Sequence, residues 1–289
     1  MKKHKRIKPS HVIGSNQLID AYLEKRSFLF LLFLITALIL IVFWDFISLK
    51  SAYLFKDIGS DSINYFYPHY AHLGYYARST GIPQWSFNHG MGQNIFPFSV
   101  GEPFAFLYLM FGKGSVAYAF IYVEIAKILT SGIFFYLYLR LIPLRPYAAI
   151  IGALVYSFSG YLILTTSAWY NLSYEPMFVA LLLYAIERFL QQRGWRLLPI
   201  TVAMTCAYQP FYVYLLGMPL LGYTIIRLLE QHNRAIREII PSLARIAGFT
   251  ILGLGISSIF FFSNLMQLLQ SPRVCGEAAY FSKIGRAHV

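Results

Sequence analysis

The sequence predicts an all-α integral membrane protein with about seven transmembrane helices. Three features predict it: 57% of the 289 residues are hydrophobic, only 12% are charged, and 18% are aromatic. The charged share is about half that of an average soluble domain. This composition excludes two soluble domains of ordinary size, and its aromatic content excludes a disordered chain. The chain also has only two cysteines, too few for a disulfide scaffold.

The net charge is +12, from 24 Lys+Arg against 12 Asp+Glu. In a soluble protein this excess would indicate nucleic-acid binding. In a membrane protein it indicates basic loops that face the cytoplasm. The sequence contains no nucleic-acid-binding module, so we expect membrane lipids and no nucleic acid around the chain. Residues 1–26 are interpreted as a basic cytoplasmic tail, which places the N-terminus inside.

Four uncharged or nearly uncharged runs account for the first crossings. The run that starts at residue 27 is long enough, with Phe43 and Trp44, to cross about 30 Å of hydrocarbon. A cleavable signal peptide is disfavoured because no small-residue cleavage site follows the run. The next three predicted spans cover residues 116–139, 147–165 and 175–190.

The apolar stretch 197–229 has 33 residues, about 50 Å as one helix, and both of its flanks are basic. Both ends therefore belong in the cytoplasm, which predicts a hairpin of two short helices that breaks near Gln209-Pro210. Exposed backbone at membrane depth must line a cavity or be covered by protein, so Tyr208 to Tyr212 is a candidate cavity wall. A final span is predicted over residues 246–269, where Gly248, Gly253 and Gly255 allow close helix packing.

The first outer loop, about residues 49–115, is long enough to require structure of its own. Within it Ile63, Phe66, Tyr70 and Leu73 recur at helical spacing and form one apolar stripe. This pattern predicts a helix in the membrane interface, with its tyrosines at the level of the lipid headgroups.

Asp61 is the strongest candidate for chemistry in this loop. Residues Asp61, Asn64, Tyr65, Pro68 and His72 share the face that flanks the apolar stripe. A partly desolvated carboxylate at this position could act as a general base. The alternative is a helix N-cap, a position that Asp prefers, and both roles can coexist.

A metal site has little support. Asp57 lies four residues before Asp61, but two carboxylates without further ligands are a weak signal for a divalent cation. His69 and His72 lack a third protein ligand for zinc, so both are interpreted as interfacial histidines. We expect no metal ligands and no cofactor.

Other polar residues are candidate substrate contacts. Trp85 and His89 lie in a segment whose Gly90 and Gly92 indicate a turn. Glu124 and Lys127 lie three residues apart inside the second span, either as a self-contained ion pair or as a polar lining for an anionic headgroup. Glu175 opens the fourth span on the side of Asp61.

Several short motifs occur in a fixed order. They are G-S-D-x-x-x-Y-x-x-P at 59–68, a Trp and a G-x-G, P-F-x-F-L-Y at 103–108, S-F-S-G-Y at 157–161, and E-P at 175–176. Together with the basic tail and first span, they resemble the YfhO family of bacterial multi-pass membrane proteins, which are similar to GT-C-type glycosyltransferases. The resemblance covers about residues 27–282 and implies a GT-C-like transmembrane domain in the bacterial inner (cytoplasmic) membrane.

The resemblance implies an inverting enzyme that moves a sugar from a polyprenyl-phosphate carrier to a glycopolymer or glycolipid acceptor of the cell envelope. The reaction would take place on the extracytoplasmic face. Asp61 matches the family's key acid, and Asp57 is the weaker match. Lys127, Arg78 and Arg273 are candidates to offset the charge of the leaving phosphate. Such lipid-phosphate donors often need no metal.

Two other functions stay open. A transporter or flippase is disfavoured because the sequence shows one broken hairpin but no inverted repeat. A non-catalytic membrane scaffold would leave Asp61 as a helix cap.

The last residues have a separate interpretation. Residues 283–289 contain IGRAHV, which resembles a translated sequencing adapter, and we expect them to be an artefact. Because family members are longer, the natural part is interpreted as an N-terminal fragment that could be inactive alone.

Overall fold

The computed structural model of the chain describes residues 17–53, 61–79, 81, 85–88, 92–96, 101–111, 114–165, 169–231 and 236–269. Regular structure in these ranges is almost entirely helical, which confirms the predicted all-α class. The longer helices are α1 (Gln17–Val42), α3 (Tyr67–Ser79), α5 (Val116–Leu141), α6 (Pro146–Ser157), α7 (Tyr174–Leu190), α8 (Leu197–Tyr208), α9 (Pro210–Gln231), α10 (Ile236–Ile256) and α11 (Ser258–Leu269).

Shorter elements lie just before the first outer loop, within it and at one later position. Helices α2 (Trp44–Ile47) and α4 (Ala105–Met110) flank a small antiparallel hairpin of β1 (Trp85–Ser86) and β2 (Gln93–Asn94), in which Trp85 pairs with Asn94. Two π-helical turns, Ser62–Phe66 and Tyr161–Thr165, precede α3 and follow α6. The predicted structured loop is therefore present in the described part of residues 49–115.

Several helices are long and apolar enough to cross a membrane. Among the described residues these are Val116–Leu141, Pro146–Leu164, Pro210–Gln231 and Ile239–Ile256, with shorter apolar helices at Arg26–Val42 and Leu197–Tyr208. These helices support a multi-pass architecture, while the number of about seven crossings stays a prediction. Helix α1 begins at Gln17, ten residues before the apolar run that predicted it.

The core lies where α5 and α7 pack side by side, with α6 and α1 on one flank and α8, α9 and α10 on the other. Small residues permit the close contacts. A Cβ atom added to Gly132 of α5 would clash with the Ser157 hydroxyl and lie 2.7 Å from Ile35. Side-chain size at such positions sets how closely helix backbones can approach.

The predicted break of the hairpin is confirmed at Gln209, whose backbone is extended between α8 and α9. The prediction of two short arms is wrong for the second arm, because α9 runs for 22 residues from Pro210 to Gln231. Proline has no backbone N–H, but the first turn of a helix leaves its N–H groups unpaired anyway. Pro210 therefore ends one helix and starts the next at once.

The final predicted span, residues 246–269, is wrong as a single helix. Helix α10 starts earlier, at Ile236, and ends at Ile256, and α11 follows after Ser257. The Ser257 hydroxyl donates to the carbonyls of Gly253 and Leu254, at 3.2 Å each. Such side-chain bonds compete with the backbone ladder and bend helices.

Of the three glycines predicted to allow close packing, Gly253 does so. A Cβ atom there would lie 2.7 Å from the Pro199 carbonyl oxygen and from the Val202 Cβ of α8. A Cβ atom on Gly248 or Gly255 would meet no described atom within 4 Å, so these two do not mediate the contact.

Candidate functional site

The segment that begins at Asp61 enters its helix through the π-helical turn Ser62–Phe66, a wide turn that recurs at functional sites. The predicted apolar stripe holds in part. Tyr70 and Leu73 are buried and Phe66 is half-buried, but Ile63 is 50% exposed, because the wide turn shifts it out of line. The predicted polar face is confirmed as the outward side, with Asp61, Asn64, Tyr65 and Pro68 exposed and His72 half-buried.

Next to this face lies a pocket of about 150 Å³. Four parts of the chain meet there: the π-helical turn with α3, the segment before α4, the loop before α7, and the tip of the α8–α9 hairpin. The lining residues are Tyr65, Phe66, His69, Tyr70, Glu102, Asn171, Tyr208, Gln209 and Tyr212. The predicted role of the hairpin tip as a cavity wall is therefore confirmed.

The hairpin tip is fixed to the neighbouring loop. The Tyr212 hydroxyl donates to the backbone carbonyl of Asn171 at 3.2 Å. The side-chain oxygen of Asn171 is buried and has no hydrogen-bond partner within the described part of the chain. A buried acceptor without a hydrogen bond costs free energy, so a hydrogen-bond donor of a ligand would bind favourably to it.

Glu102 is the acid that lines the pocket, and it is 4% exposed. Its Oε1 accepts hydrogen bonds from the hydroxyls of Tyr170 and Tyr174, and its Oε2 accepts one from Tyr70. A carboxylate has about four lone-pair positions, and the described residues donate to three of those of Glu102, which leaves one acceptor position without a described donor. This position can receive one donor from a ligand in the pocket.

Lys127 contacts the ring faces of two of these tyrosines. Its Nζ is 4.0 Å from the ring centroids of both Tyr170 and Tyr174. The ammonium donates to the Tyr170 carbonyl at 3.1 Å, to the Ser173 hydroxyl at 2.9 Å and to Glu124 at 3.5 Å. The structure thus pairs Glu124 with Lys127 and buries both, and neither lines the pocket.

The tyrosines outside the spans keep their protons. Burial raises the pKa of Tyr70, Tyr108 and Tyr170 well above that of a free phenol, and the charge of Glu102 raises it further. Burial alone raises the pKa of Tyr65. These hydroxyls therefore remain donors, as in the bond from Tyr108 to Tyr170.

Asp61 lies at the start of the π-helical turn, one turn before Tyr65. It has helical backbone angles (φ −60°, ψ −35°) and its side chain makes no cap hydrogen bond. The N-cap interpretation is therefore wrong in this structure, which leaves the exposed carboxylate available. Asp57, His89 and Arg273 fall outside the described residues.

The remaining predicted contacts lie apart from the pocket lining. Trp85 is exposed and covers Gly92, whose φ of +116° confirms the predicted turn. Arg78 donates to the Met110 carbonyl at 3.0 Å, which ties the end of α3 to α4. Glu175 accepts a 2.6 Å hydrogen bond from the Tyr161 hydroxyl.

His69 contradicts its interpretation as an interfacial histidine. It is 3% exposed, lines the pocket and stacks on Tyr65, with ring centroids 5.9 Å apart. It lies one turn before the buried Leu73, and this spacing is the sequence signal that could have identified it. No group of three His, Cys, Asp or Glu side chains suited to a metal occurs among the residues that the structure covers.

Comparison with known families adds one match, to the family described as bacterial membrane protein YfhO, over residues 30–284. The chain belongs to the YfhO family. No curated protein and no solved structure matches it. The YfhO match includes the pocket, the hairpin and the helices that carry them. The pocket of this YfhO-family chain therefore lies within the part that matches the family.

Proposed function

We propose that the chain is a membrane glycosyltransferase that moves a sugar from a polyprenyl-phosphate carrier to a cell-envelope acceptor on the extracytoplasmic face. One observation carries the proposal: an aromatic pocket with a carboxylate in its wall lies one helical turn from the exposed Asp61. The N-terminus would be cytoplasmic and the membrane would be the bacterial inner membrane.

The chemistry of the pocket suits a sugar. Sugars present C–H faces that pack on aromatic rings, and the pocket has Tyr65, Tyr70, Tyr208 and Tyr212. Sugar hydroxyls need a few well-placed polar partners, as small-molecule sites usually provide. The acceptor position of Glu102 and the side-chain oxygen of Asn171, both without a donor among the described residues, supply such partners.

The size of the pocket limits the ligand. A cavity of about 150 Å³ is large enough to hold a six-membered ring such as benzene. This is the scale of a single sugar ring. The pocket therefore suits a carrier that presents one sugar at a time.

In the proposed reaction Asp61 removes the proton of the acceptor hydroxyl. The acceptor oxygen attacks the anomeric carbon and forms the new glycosidic bond, while the bond to the carrier phosphate breaks and the phosphate keeps the electron pair. A single displacement inverts the anomeric configuration. Asp57 is the second candidate base.

The cation that meets the leaving phosphate is not Lys127 in this arrangement, because its ammonium is enclosed by protein partners. Lys127 instead acts on the pocket through the rings of Tyr170 and Tyr174. Arg78, which is exposed on α3, and Arg273 remain the candidates for the phosphate.

The test is Asp61→Asn in the full-length protein, assayed for transfer from a polyprenyl-phosphate sugar in proteoliposomes. A general base contributes about 10²–10⁴-fold, so transfer should fall by at least about 100-fold with the membrane level unchanged. Asp45→Asn is the matched control, because Asp45 is also exposed, pairs only loosely with Lys50 and does not line the pocket. Retained transfer in Asp61→Asn would overturn the role of Asp61.

The same assay addresses the other functions. Movement of lipid across the bilayer without a new glycosidic bond would identify a transporter or flippase. Absence of both activities would favour the scaffold.

A further inference from the structure

A second pocket, of about 460 Å³, lies between α7, α8, α9 and α10. Its volume is within the range of about 300–1,000 Å³ that is typical of ligand sites. Its walls are almost entirely apolar, and include Leu182, Val202, Val213, Leu220 and Ile246. We call it the apolar pocket, and the first one the aromatic pocket.

The hydroxyl groups in this wall bond to the backbone of their own helices. Three threonines line the pocket, and each hydroxyl donates to a carbonyl of the preceding turn: Thr205 to Thr201 at 2.8 Å, Thr224 to Leu220 at 2.7 Å and Thr250 to Ile246 at 2.9 Å. The wall therefore offers a ligand no hydroxyl donor. A hydrocarbon chain has no polar groups, so it gives up no hydrogen bonds to water when it binds in such surroundings.

The apolar pocket opens sideways. Its lining residues Leu221 of α9 and Ile251 of α10 are 53% and 68% exposed. Both belong to helices that are long and apolar enough to cross the membrane. The mouth of the pocket therefore faces the region that lipid chains occupy.

The apolar pocket also adjoins the aromatic pocket. Tyr208 and Tyr212 line the aromatic pocket, while Thr205, one turn before Tyr208, and Val213, next to Tyr212, line the apolar pocket. The two pockets thus lie on different faces of the same hairpin, close to its tip. A molecule with a polar head and an apolar chain could occupy both at once.

We propose that the apolar pocket binds the hydrocarbon chain of the lipid carrier whose sugar-bearing head enters the aromatic pocket. The assignment of the head rests on the proposed function. A single pocket suits a carrier with one chain better than a phospholipid with two. The apolar wall then holds the carrier while the aromatic pocket orients its sugar.

The experiment uses the full-length protein in detergent micelles and a polyprenyl phosphate with a diazirine in mid-chain. Gly217 lines the apolar pocket, and a Cβ atom there meets no described atom within 4 Å, so the side chain of Gly217→Leu would extend into the cavity. Gly222→Leu is the matched control, since Gly222 lies on the same helix with equal space but outside the pocket.

We expect photolabel on peptides from residues 205–224 and 243–251. Gly217→Leu should reduce it by about tenfold, the effect of losing a few buried methylene contacts, while Gly222→Leu should leave it unchanged. Unlabelled polyprenyl phosphate should compete, and added phosphatidylglycerol should not.

Three results would overturn the proposal. Equal competition by phosphatidylglycerol would indicate that the pocket binds an acyl chain, and absence of label on these peptides would indicate that protein fills it. Equal labelling of the Gly217→Leu and Gly222→Leu variants would show that the label does not depend on the pocket. The failure of the proposed function looks different. Specific labelling without any sugar transfer by the wild type would leave the chain site standing and refute the glycosyltransferase. Sugar transfer by the wild type with photolabel outside these peptides would support the glycosyltransferase and refute the chain site.

Discussion

The carboxylate of Glu102 and the ammonium of Lys127 contact the same two tyrosines, one at their hydroxyls and the other at their ring faces. Tyr170 and Tyr174 donate their hydroxyls to Glu102, while the faces of their rings lie 4.0 Å from the Lys127 Nζ. A cation over a ring face is attracted by the ring quadrupole, and the hydroxyl at the ring edge then meets an anion. The arrangement connects the pocket wall to the buried charges of α5.

Glu102→Gln should destabilise the protein and impair transfer. An amide offers one acceptor oxygen where the carboxylate offers two, so at least one of the three tyrosine hydroxyls that now donate to Glu102 loses its partner. A buried unpaired polar group costs about 1–3 kcal/mol. Thermal unfolding in detergent should show a clear loss. Glu175→Gln, at a residue with one tyrosine hydroxyl bond, should change it little.

Lys127→Met should destabilise the protein more than the double variant Lys127→Met, Glu124→Gln. Both side chains are at most 1% exposed, and removal of one partner from a buried pair costs about 3–5 kcal/mol because it leaves a charge uncompensated. The double variant removes both charges. Equal free energies of unfolding for the single and double variants would show that Glu124 and Lys127 do not stabilise each other.

Arg227→Gln should loosen the contact between α7 and α9. Arg227 binds the fully buried Glu187 through two bonds, Nη2 to Oε1 at 2.6 Å and Nε to Oε2 at 3.0 Å. Loss of the arginine should cost about 3 kcal/mol. Glu230→Gln removes the exposed partner of the same arginine and should cost less than about 1 kcal/mol. Denaturation of the two variants side by side measures the difference.

Gly253→Ala and Gly255→Ala should have opposite effects. A Cβ atom at Gly253 would lie 2.7 Å from the Pro199 carbonyl oxygen, and overpacking of this kind costs about 1–3 kcal/mol. At Gly255 no described atom lies within 4 Å, so alanine should stabilise α10 by up to about 1 kcal/mol. Similar melting temperatures for both would contradict the close contact between α8 and α10.

Local chemistry explains which features the sequence predicts. The break at Gln209-Pro210 follows from the covalent structure of proline, and the outward face of Asp61 and Asn64 follows from helical spacing. Local spacing does not predict the contacts of Glu102, because its partners Tyr70, Tyr170 and Tyr174 are 32, 68 and 72 residues away. The break between α10 and α11 at Ser257, where the side chain also bonds the Gly253 carbonyl, is not revealed by composition.

The π-helical turn Ser62–Phe66 has a consequence for how this protein can change in evolution. Such a turn contains about one residue more than an α-helical turn, and one residue corresponds to about 100° of rotation around the helix axis. Deleting one residue there would turn Asp61 away from Tyr65 and the aromatic pocket. Insertions and deletions should therefore accumulate elsewhere in the outer loop, while the spacing from Asp61 to Tyr70 keeps its length.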